Sequence, residues 1–115
     1  MNISEIEEKE FFPGLYGKLI HGKNITWALW NVKKDAIVPL HSHIHEQIMY
    51  VIEGKFQLIV DGVNKIFEKG DYIILPSNVP HEGTALSNCK LMDVFSPARK
   101  DLSLIHISEP TRPSS

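Results

Sequence analysis

Three histidines and a glutamine have the types and spacing of a metal site. His41 and His43 are two residues apart, and residues two apart on a strand point to the same side. We expect a turn at residues 44–46 to bring Gln47 back beside them, and His81 to follow a proline-bounded loop and supply a third imidazole. Three neutral nitrogens and an amide oxygen suit one divalent ion and leave positions open for a substrate. For an isolated His-x-His pair, a solvated strand end is the simpler interpretation.

A second chemically active group lies near the end of the chain. Asp93 alternates with Leu91 and Phe95, so one side of the predicted strand carries an acid between apolar side chains. If this side lines a barrel, burial raises the pKa of Asp93 toward the range used in general acid–base catalysis. Arg99 follows on a loop, where its planar guanidinium can hold a carboxylate at two points. Composition alone favours a structural pair between Asp93 and Arg99.

Short β-strands are the elements that must position these residues. Runs rich in β-branched and aromatic residues recur about every 8–12 residues with turn residues between them, and no useful helical stripe occurs. Asp61-Gly62 predicts a two-residue hairpin, because both residues tolerate positive φ. The pattern indicates an all-β fold, a small sandwich or barrel. The predicted strands are residues 25–32, 47–53, 55–60, 63–68, 72–75, 81–85 and 90–95.

Large apolar residues on these strands supply the expected core. On the strand that follows Gln47, Met49 and Tyr50 fall on opposite faces, so we expect Met49 to line the pocket and Tyr50 to pack outward. The expected core or sheet-packing residues are Trp27, Trp30, Phe56, Leu58, Ile74, Leu86 and Met92.

Composition and charge exclude several classes of function. The 115 residues, 43% hydrophobic and 23% charged, are typical of a single soluble domain with its own core. A formal net charge of -2 without a polybasic run argues against nucleic acid or a membrane surface as the partner. Cys89 is the single cysteine and suits a reducing compartment. No secretory signal or long apolar run is present, so we expect a cytoplasmic location.

We divide the chain into three parts. Residues 1–30 are interpreted as N-terminal strands and a candidate dimer contact, and residues 31–102 as the metal-binding barrel. Residues 103–115 contain two prolines and several serines without strand or helix periodicity. We expect this last part to be a disordered or non-native tail, and we leave His106 out of the site with it.

Two motifs in the expected order resemble those of the cupin family. The first reads H-x-H-x3-Q-x6-G from His41, and the second reads G-x5-P-x-N-x2-H from Gly70. The resemblance covers about residues 35–95 and implies a cupin barrel, a double-stranded β-helix or jelly roll. It also implies one divalent metal ion, with Ni, Zn, Mn, Fe and Co left open as its identity. The implied ligands are His41, His43, Gln47 and His81.

Four residues depart from the cupin pattern. Asp35 stands where the first motif has Gly, Asn78 replaces a Gly of the second, and Ala85 replaces its closing Asn. Gln47 replaces the usual Glu, which makes the site less negative, weakens metal binding and argues against a redox role. His45 is left open as an alternative ligand or substrate contact.

Four segments, HSHIHEQ, YVIEG, NVPH and DVFSPARKD, resemble the unsaturated-uronate ring-opening cupins of the KdgF type, which act in pectin and alginate breakdown. Their Asp-x-Phe-x-x-x-Arg spacing falls on Asp93, Phe95 and Arg99, which the resemblance implies are catalytic. The implied reaction is a lyase- or isomerase-type conversion of 4,5-unsaturated monouronates to linear 5-keto-4-deoxyuronates. The implied partner is therefore a small anionic sugar.

Other interpretations stay open beside this one. A metal-dependent dioxygenase, another small cupin isomerase and a non-catalytic sugar-binding cupin share the same barrel. In cupins, an apolar N-terminal segment such as residues 11–16 commonly adds a strand to a partner's sheet, so the resemblance implies a homodimer. The same segment would otherwise cover one end of its own barrel.

Overall fold

The computed structural model describes residues 1–104, with side chains up to residue 102. Within this range the chain forms ten β-strands and two short 3-10 helices, Ile3–Glu5 and Lys100–Leu104. The predicted all-β class is confirmed. The predicted tail, with His106, lies outside the described side chains. The strands are β1 Lys9–Phe12, β2 Leu15–His21, β3 Thr26–Val32, β4 Ile37–His41, β5 Glu46–Glu53, β6 Lys55–Val60, β7 Val63–Glu68, β8 Tyr72–Leu75, β9 His81–Ala85 and β10 Cys89–Ser96.

Two antiparallel sheets form the jelly-roll barrel predicted from the motifs. The larger sheet has the order β1-β2-β3-β10-β5-β8, and the smaller has the order β4-β9-β6-β7. Each strand alternates inward and outward side chains, as a two-layer fold requires. On β5 and β10, for example, every second residue over most of the strand is buried. The two sheets therefore share one apolar interior between them.

Apolar side chains from both sheets make up this interior. Burying them is the main favourable term in folding, at roughly 25 cal/mol per Å² of apolar surface removed from water. Met49 points inward and Tyr50 outward, as predicted. The buried apolar residues are Phe11, Leu15, Ala28, Trp30, Val32, Met49, Val51, Phe56, Leu58, Phe67, Leu75, Ala85, Cys89, Leu91 and Phe95.

Two of the residues expected in the core or in sheet packing are exposed, and two others are buried only in part. Ile74 and Leu86 are 54% and 36% exposed, and Trp27 and Met92 are only partly buried. The side chain of Ile74 points away from the interior because its neighbour Leu75 occupies the inward position of β8. Strand alternation predicts which residues share a face, but hydrophobicity did not show which face is inside.

The N-terminal strands belong to the chain's own larger sheet. β1 pairs with β2, and β2 pairs with β3. Phe11 and Leu15 are buried in the core of the same chain. No helix among residues 1–104 is both long enough and apolar enough to cross a bilayer.

Tight turns use the residues that tolerate positive φ. Asp61 and Gly62 have φ values of 50° and 80° and join β6 to β7 by the predicted two-residue hairpin. Asp35 and Asn78, two departures from the cupin pattern, have φ values of 73° and 65°. Asp and Asn enter this region more readily than other non-glycine residues, so both replacements keep the backbone path that glycine would take.

Gly54, the glycine of the first motif, has a steric reason as well as a conformational one. It joins β5 to β6 with φ +94°. A Cβ atom there would collide with the backbone oxygen of Asn88 and lie 2.9 Å from Sγ of Cys89. Gly70 has nearly the same φ, +92°, but no atom within 4 Å of the corresponding position.

We predict that Gly54→Ala destabilises the protein far more than Gly70→Ala. Both variants put a Cβ on a left-handed backbone, at a cost of about 1–2 kcal/mol. Gly54→Ala must also displace the backbone at Asn88, so we expect at least about 2 kcal/mol of additional loss. Urea unfolding at equilibrium measures both free energies. Equal losses would show that Gly54 is required for its φ angle alone.

Candidate metal and carboxylate site

The structure brings His41, His43 and His81 together. His41 ends β4, His81 begins β9, and the two are register partners across these strands. The ligand nitrogens of the three residues all lie within 4.8 Å of one another. The expectation that His41 and His43 share one strand is wrong, because β4 ends at His41. The chain bends beyond the end of β4, and His43 reaches the same point from the loop.

Backbone carbonyls orient all three imidazoles in the same way. In each ring, Nδ1 lies at hydrogen-bond distance from a carbonyl oxygen. A carbonyl only accepts hydrogen bonds, so Nδ1 must carry the proton and Nε2 keeps its lone pair for another partner. This is how metal-binding histidines are commonly held. The bonds join His41 to Pro39 (2.8 Å), His43 to His45 (3.0 Å) and His81 to Val79 (2.9 Å).

Burial keeps the imidazoles of His43 and His81 neutral, which is the form that binds metals. Desolvation lowers the pKa of His43 to about 4, with a further contribution from the positive charge of Arg99. Desolvation also lowers the pKa of His81. Neither ring therefore takes up a second proton at neutral pH, and the Nε2 atoms of both are available as ligands.

Two buried acceptor atoms at this point have no hydrogen-bond partner. They are Nε2 of His43 and Oε1 of Gln47. Gln47, the second residue of β5, is only 7% exposed. Buried polar atoms are nearly always paired, so two orphaned acceptors beside a histidine cluster fit a site for a cation. The donor set predicted from the sequence, His41, His43, Gln47 and His81, suits a divalent metal ion.

Asp93 is a buried carboxylate held by an indole. It is 7% exposed, and Oδ2 accepts a hydrogen bond of 2.8 Å from Nε1 of Trp30. Burial raises the pKa of Asp93 to about 6, while Gln47, Trp30 and Arg99 act in the opposite direction. No hydrogen bond reaches Oδ1. Asp93 therefore offers one oxygen that is fixed and one that is available.

Arg99 is buried beside Phe95 and fixed by Asp101. Its guanidinium carbon lies 5.0 Å from the centre of the Phe95 ring, which is cation–π distance. Nε and Nη2 donate to the two carboxylate oxygens of Asp101 at 3.1 and 3.0 Å. The backbone N–H of Arg99 donates to Oγ1 of Thr26, a fully buried residue, at 2.7 Å. These contacts leave the guanidinium in one orientation.

Phe95 lies between His43 of the histidine cluster and Arg99. Its ring lies 5.9 Å from that of His43, edge to face, in addition to its contact with Arg99. Phe95 and Gln47 are register partners on β10 and β5, and Asp93 pairs with Met49 two residues along. Because all four side chains point inward from adjacent strands, the acid, the amide and the aromatic ring share one wall.

All seven residues predicted as site residues line one cavity of about 430 Å³. This size is within the range of small-molecule sites, and most of the other lining side chains are apolar. The predicted residues in its wall are His41, His43, Gln47, His81, Asp93, Phe95 and Arg99.

Trp30 and Asp101 are site residues that the strand pattern did not reveal. The sequence pattern predicts Trp30 only as a core or sheet-packing residue, although a buried indole N–H usually requires an acceptor. Asp101 lies within the segment DVFSPARKD, but its pairing with Arg99 depends on the path of the loop. His45 contributes its backbone oxygen to His43 and does not join the three-histidine cluster found among the described residues.

Comparison with known proteins agrees with this geometry. Residues 28–95 match the cupin domain family. The pectin degradation protein KdgF of Dickeya dadantii is 36% identical over 93 residues, which cover 74% of this chain and 84% of that protein. An RmlC-like cupin from Shewanella frigidimarina has a TM-score of 0.83 at 31% identity, covering 88% of this chain and 92% of its own. KdgF from Halomonas sp. has a TM-score of 0.81 at 27% identity, covering 86% of this chain and 93% of its own.

The family match runs from Ala28, within β3, to Phe95, within β10, and it includes most of the side chains that line the cavity. The similarity to the Dickeya protein extends over most of both chains. The chain belongs to the cupin family, within which it resembles the KdgF proteins.

Proposed function

We propose that this cupin opens the ring of 4,5-unsaturated monouronates to give linear 5-keto-4-deoxyuronates. One observation carries the proposal: a buried carboxylate, a buried guanidinium and three clustered imidazoles line the same cavity. These groups match an anionic sugar that must lose one proton and gain another. The similarity to a pectin degradation protein supports the same substrate class.

The proposed reaction is an isomerisation that needs no oxidant or co-reactant. The anomeric hydroxyl loses its proton and becomes the C1 aldehyde as the bond from C1 to the ring oxygen breaks. The ring oxygen becomes the ketone oxygen at C5, and C4 gains a proton. No atom is added or lost in total, so a single group that accepts a proton and returns it is sufficient.

Asp93 is the group we assign to this proton transfer. Trp30 holds Oδ2 in place, and Oδ1 has no hydrogen-bond partner. Oδ1 is therefore the oxygen that takes the proton from the anomeric hydroxyl and delivers it toward C4. The apolar wall around Asp93, including Phe95, excludes competing water from the carboxylate.

Arg99 is the group we assign to the substrate carboxylate. A guanidinium has five N–H donors, of which Asp101 engages two. The remaining donors suit a planar carboxylate in the cavity. Because Asp101 and Phe95 fix the guanidinium, its orientation is set before the substrate arrives.

One divalent metal ion would be held by His41, His43, Gln47 and His81. Its candidates are Ni, Zn, Mn, Fe and Co. When bound, such an ion supplies Lewis-acid polarisation of substrate oxygens. All four donors are neutral as ligands, so they do not cancel the positive charge of the ion, which attracts an anionic substrate.

We place the reaction in the cytoplasm, because the free, buried thiol of Cys89 suits that compartment. Pectin and alginate are alternative sources of the uronate.

We predict that His81→Ala weakens metal binding by at least about 100-fold, because it removes a ligand and not merely an outer hydrogen-bond partner. The metal-free protein is titrated with Zn²⁺, Ni²⁺ or Co²⁺ in a calorimeter, and the bound metal is counted by elemental analysis. His21→Ala is the control, because His21 contacts Thr26 and not the histidine cluster. Unchanged affinity in His81→Ala would remove His81 from the ligand set.

We predict that the metal-loaded protein accelerates ring opening of unsaturated galacturonate or guluronate above the spontaneous rate. NMR follows the loss of the C4 vinyl proton and the appearance of the linear product. A chelator should reduce the rate, and exclusion of oxygen should leave it unchanged. A requirement for oxygen would favour a dioxygenase. Binding of the uronate without any acceleration would favour the non-catalytic sugar-binding cupin.

We predict that Asp93→Asn lowers the ring-opening rate by at least about 100-fold, the usual minimum contribution of general acid–base catalysis. Asp61→Asn is the matched control, because Asp61 lies in the hairpin turn between β6 and β7. Asn also tolerates positive φ at that position. An unimpaired rate in Asp93→Asn would exclude Asp93 from the mechanism. The cavity would then be supported only as a binding site.

We also predict that Asp93→Asn is more stable than the wild type when both proteins are free of metal. Burial raises the pKa of Asp93 to about 6, above the value of about 3.9 for an unfolded chain. The ionised carboxylate therefore lowers the free energy of unfolding. The whole loss is present above pH ~6, and none of it is present below pH ~4. We expect Asp93→Asn to gain up to about 3 kcal/mol at pH 8 and nothing from this source at pH 3.5. Urea unfolding at the two pH values measures this difference; a gain that is the same at both would contradict it.

A further inference from the structure

The cavity of the site is polar at one end and apolar at the other. Strand β10 runs along it with Phe95, Asp93 and Leu91 pointing inward in that order. Phe95 lies beside Arg99 and the histidine cluster. Leu91 lies four residues further along β10, which is about 13 Å along a strand. Asp93 therefore stands at the boundary between the two ends.

The register of the smaller sheet gives the same order. His41 pairs with His81, whereas Val38 and Leu58 both pair with Gly83, two residues along β9 from His81. The polar ligands thus lie at one end of these strands, and apolar side chains follow them. We call the lining side chains away from the histidines the apolar end. Its main members are Phe11, Val38, Met49, Phe56, Leu58 and Leu91.

The apolar end offers no side-chain partner for a hydroxyl group among the lining residues that the structure describes. Ser42 lies in the loop of the histidine cluster, and Asp101 is bonded to Arg99. The indole N–H of Trp30 already donates to Asp93. A polar group placed at this end would lose its hydrogen bonds to water, whereas an alkyl chain would gain from leaving water.

We propose that the site also takes short-chain 2-oxo carboxylates with an alkyl side chain and exchanges the proton on their C3 atom. The order of groups along the cavity matches the order of atoms in such a molecule: the carboxylate lies at Arg99, C3 at Asp93 and the alkyl chain at the apolar end. The linear product of the proposed ring opening is itself a 2-oxo carboxylate, because its C5 ketone adjoins the C6 carboxylate. The exchange step rests on the roles proposed for Asp93 and Arg99, whereas binding does not depend on ring opening.

The exchange is a balanced proton transfer that needs no oxidant or reductant. Oδ1 of Asp93, which has no hydrogen-bond partner, removes the proton from C3. The C–H electron pair forms a C2–C3 double bond, and the carbonyl pair moves to the ketone oxygen, which becomes an enolate. Return of a proton from Oδ1 to C3 restores the acid. The negative charge develops in the same cavity as the buried cation of Arg99, which stabilises it electrostatically.

The dependence of binding on chain length tests where the alkyl chain lies. Pyruvate, 2-oxobutanoate, 2-oxopentanoate and 2-oxohexanoate are titrated into the full chain, with and without bound Zn²⁺, and followed by NMR. Each methylene buried at the apolar end should strengthen binding about 4-fold, which makes about 50-fold from pyruvate to 2-oxohexanoate. Equal affinities, or affinities that fall with chain length, would overturn the proposal.

A substitution at the apolar end tests the same placement. Val38→Thr adds a hydroxyl group to the cavity wall. Val60→Thr is the matched control, because Val60 is also a half-buried valine on the smaller sheet but does not line the cavity. We expect Val38→Thr to reduce the advantage of 2-oxohexanoate over pyruvate by about 3-fold or more, and Val60→Thr to leave it unchanged. Circular dichroism verifies that both variants are folded. An equal effect of the two substitutions would place the chain elsewhere and overturn the proposal.

Exchange in D₂O tests the activity. The wild type and Asp93→Asn, each loaded with Zn²⁺ or Ni²⁺, are incubated with 2-oxobutanoate, and NMR follows the loss of its C3 proton signal against the metal ion without protein. We expect exchange at least about 100-fold faster in the wild type than in Asp93→Asn. Equal rates in the two proteins would overturn the proposal. Ring opening without exchange would also overturn it and leave the proposed function intact, whereas exchange without ring opening would support it and refute the proposed function.

Discussion

Strand β10 pairs with β3 on one side and with β5 on the other, and the position of the site follows from this double pairing. The pairing with β3 brings Trp30 within hydrogen-bond distance of Asp93. The pairing with β5 brings Gln47 beside Phe95. A shift of one residue in either register would turn every inward side chain outward. The acid, the amide and the aromatic ring therefore depend on backbone hydrogen bonds more than on contacts with one another.

The site contains charged groups that are costly to bury, and the surrounding structure compensates for only part of that cost. Arg99 is neutralised by Asp101 and stacks on Phe95, so its charge is well supported. Asp93 receives one indole hydrogen bond, and desolvation still dominates its pKa. Orphaned acceptors remain on His43 and Gln47. Such unsatisfied groups are unfavourable in a core built for stability alone, and they are expected where a cation and a substrate must bind.

The two faces of the larger sheet have different surroundings, although their residues alternate along the same strands. Inward residues of β5 and β10 line the cavity, and the outward residues of both strands face away from it. Alternation couples the two faces, because each outward apolar residue is bonded to inward neighbours in the site.

The sequence by itself determined the strand class, most strand limits, the hairpin at Asp61 and the spacing of the histidine motif. These features depend on local periodicity and backbone preference, which are properties of short segments. Only the tertiary structure showed that His43 reaches the cluster from a loop, that Trp30 holds Asp93 and that Asp101 fixes Arg99. It also showed that Ile74 faces outward. Each of these depends on pairing between distant segments or on the path of a loop, and local sequence preferences do not encode either one.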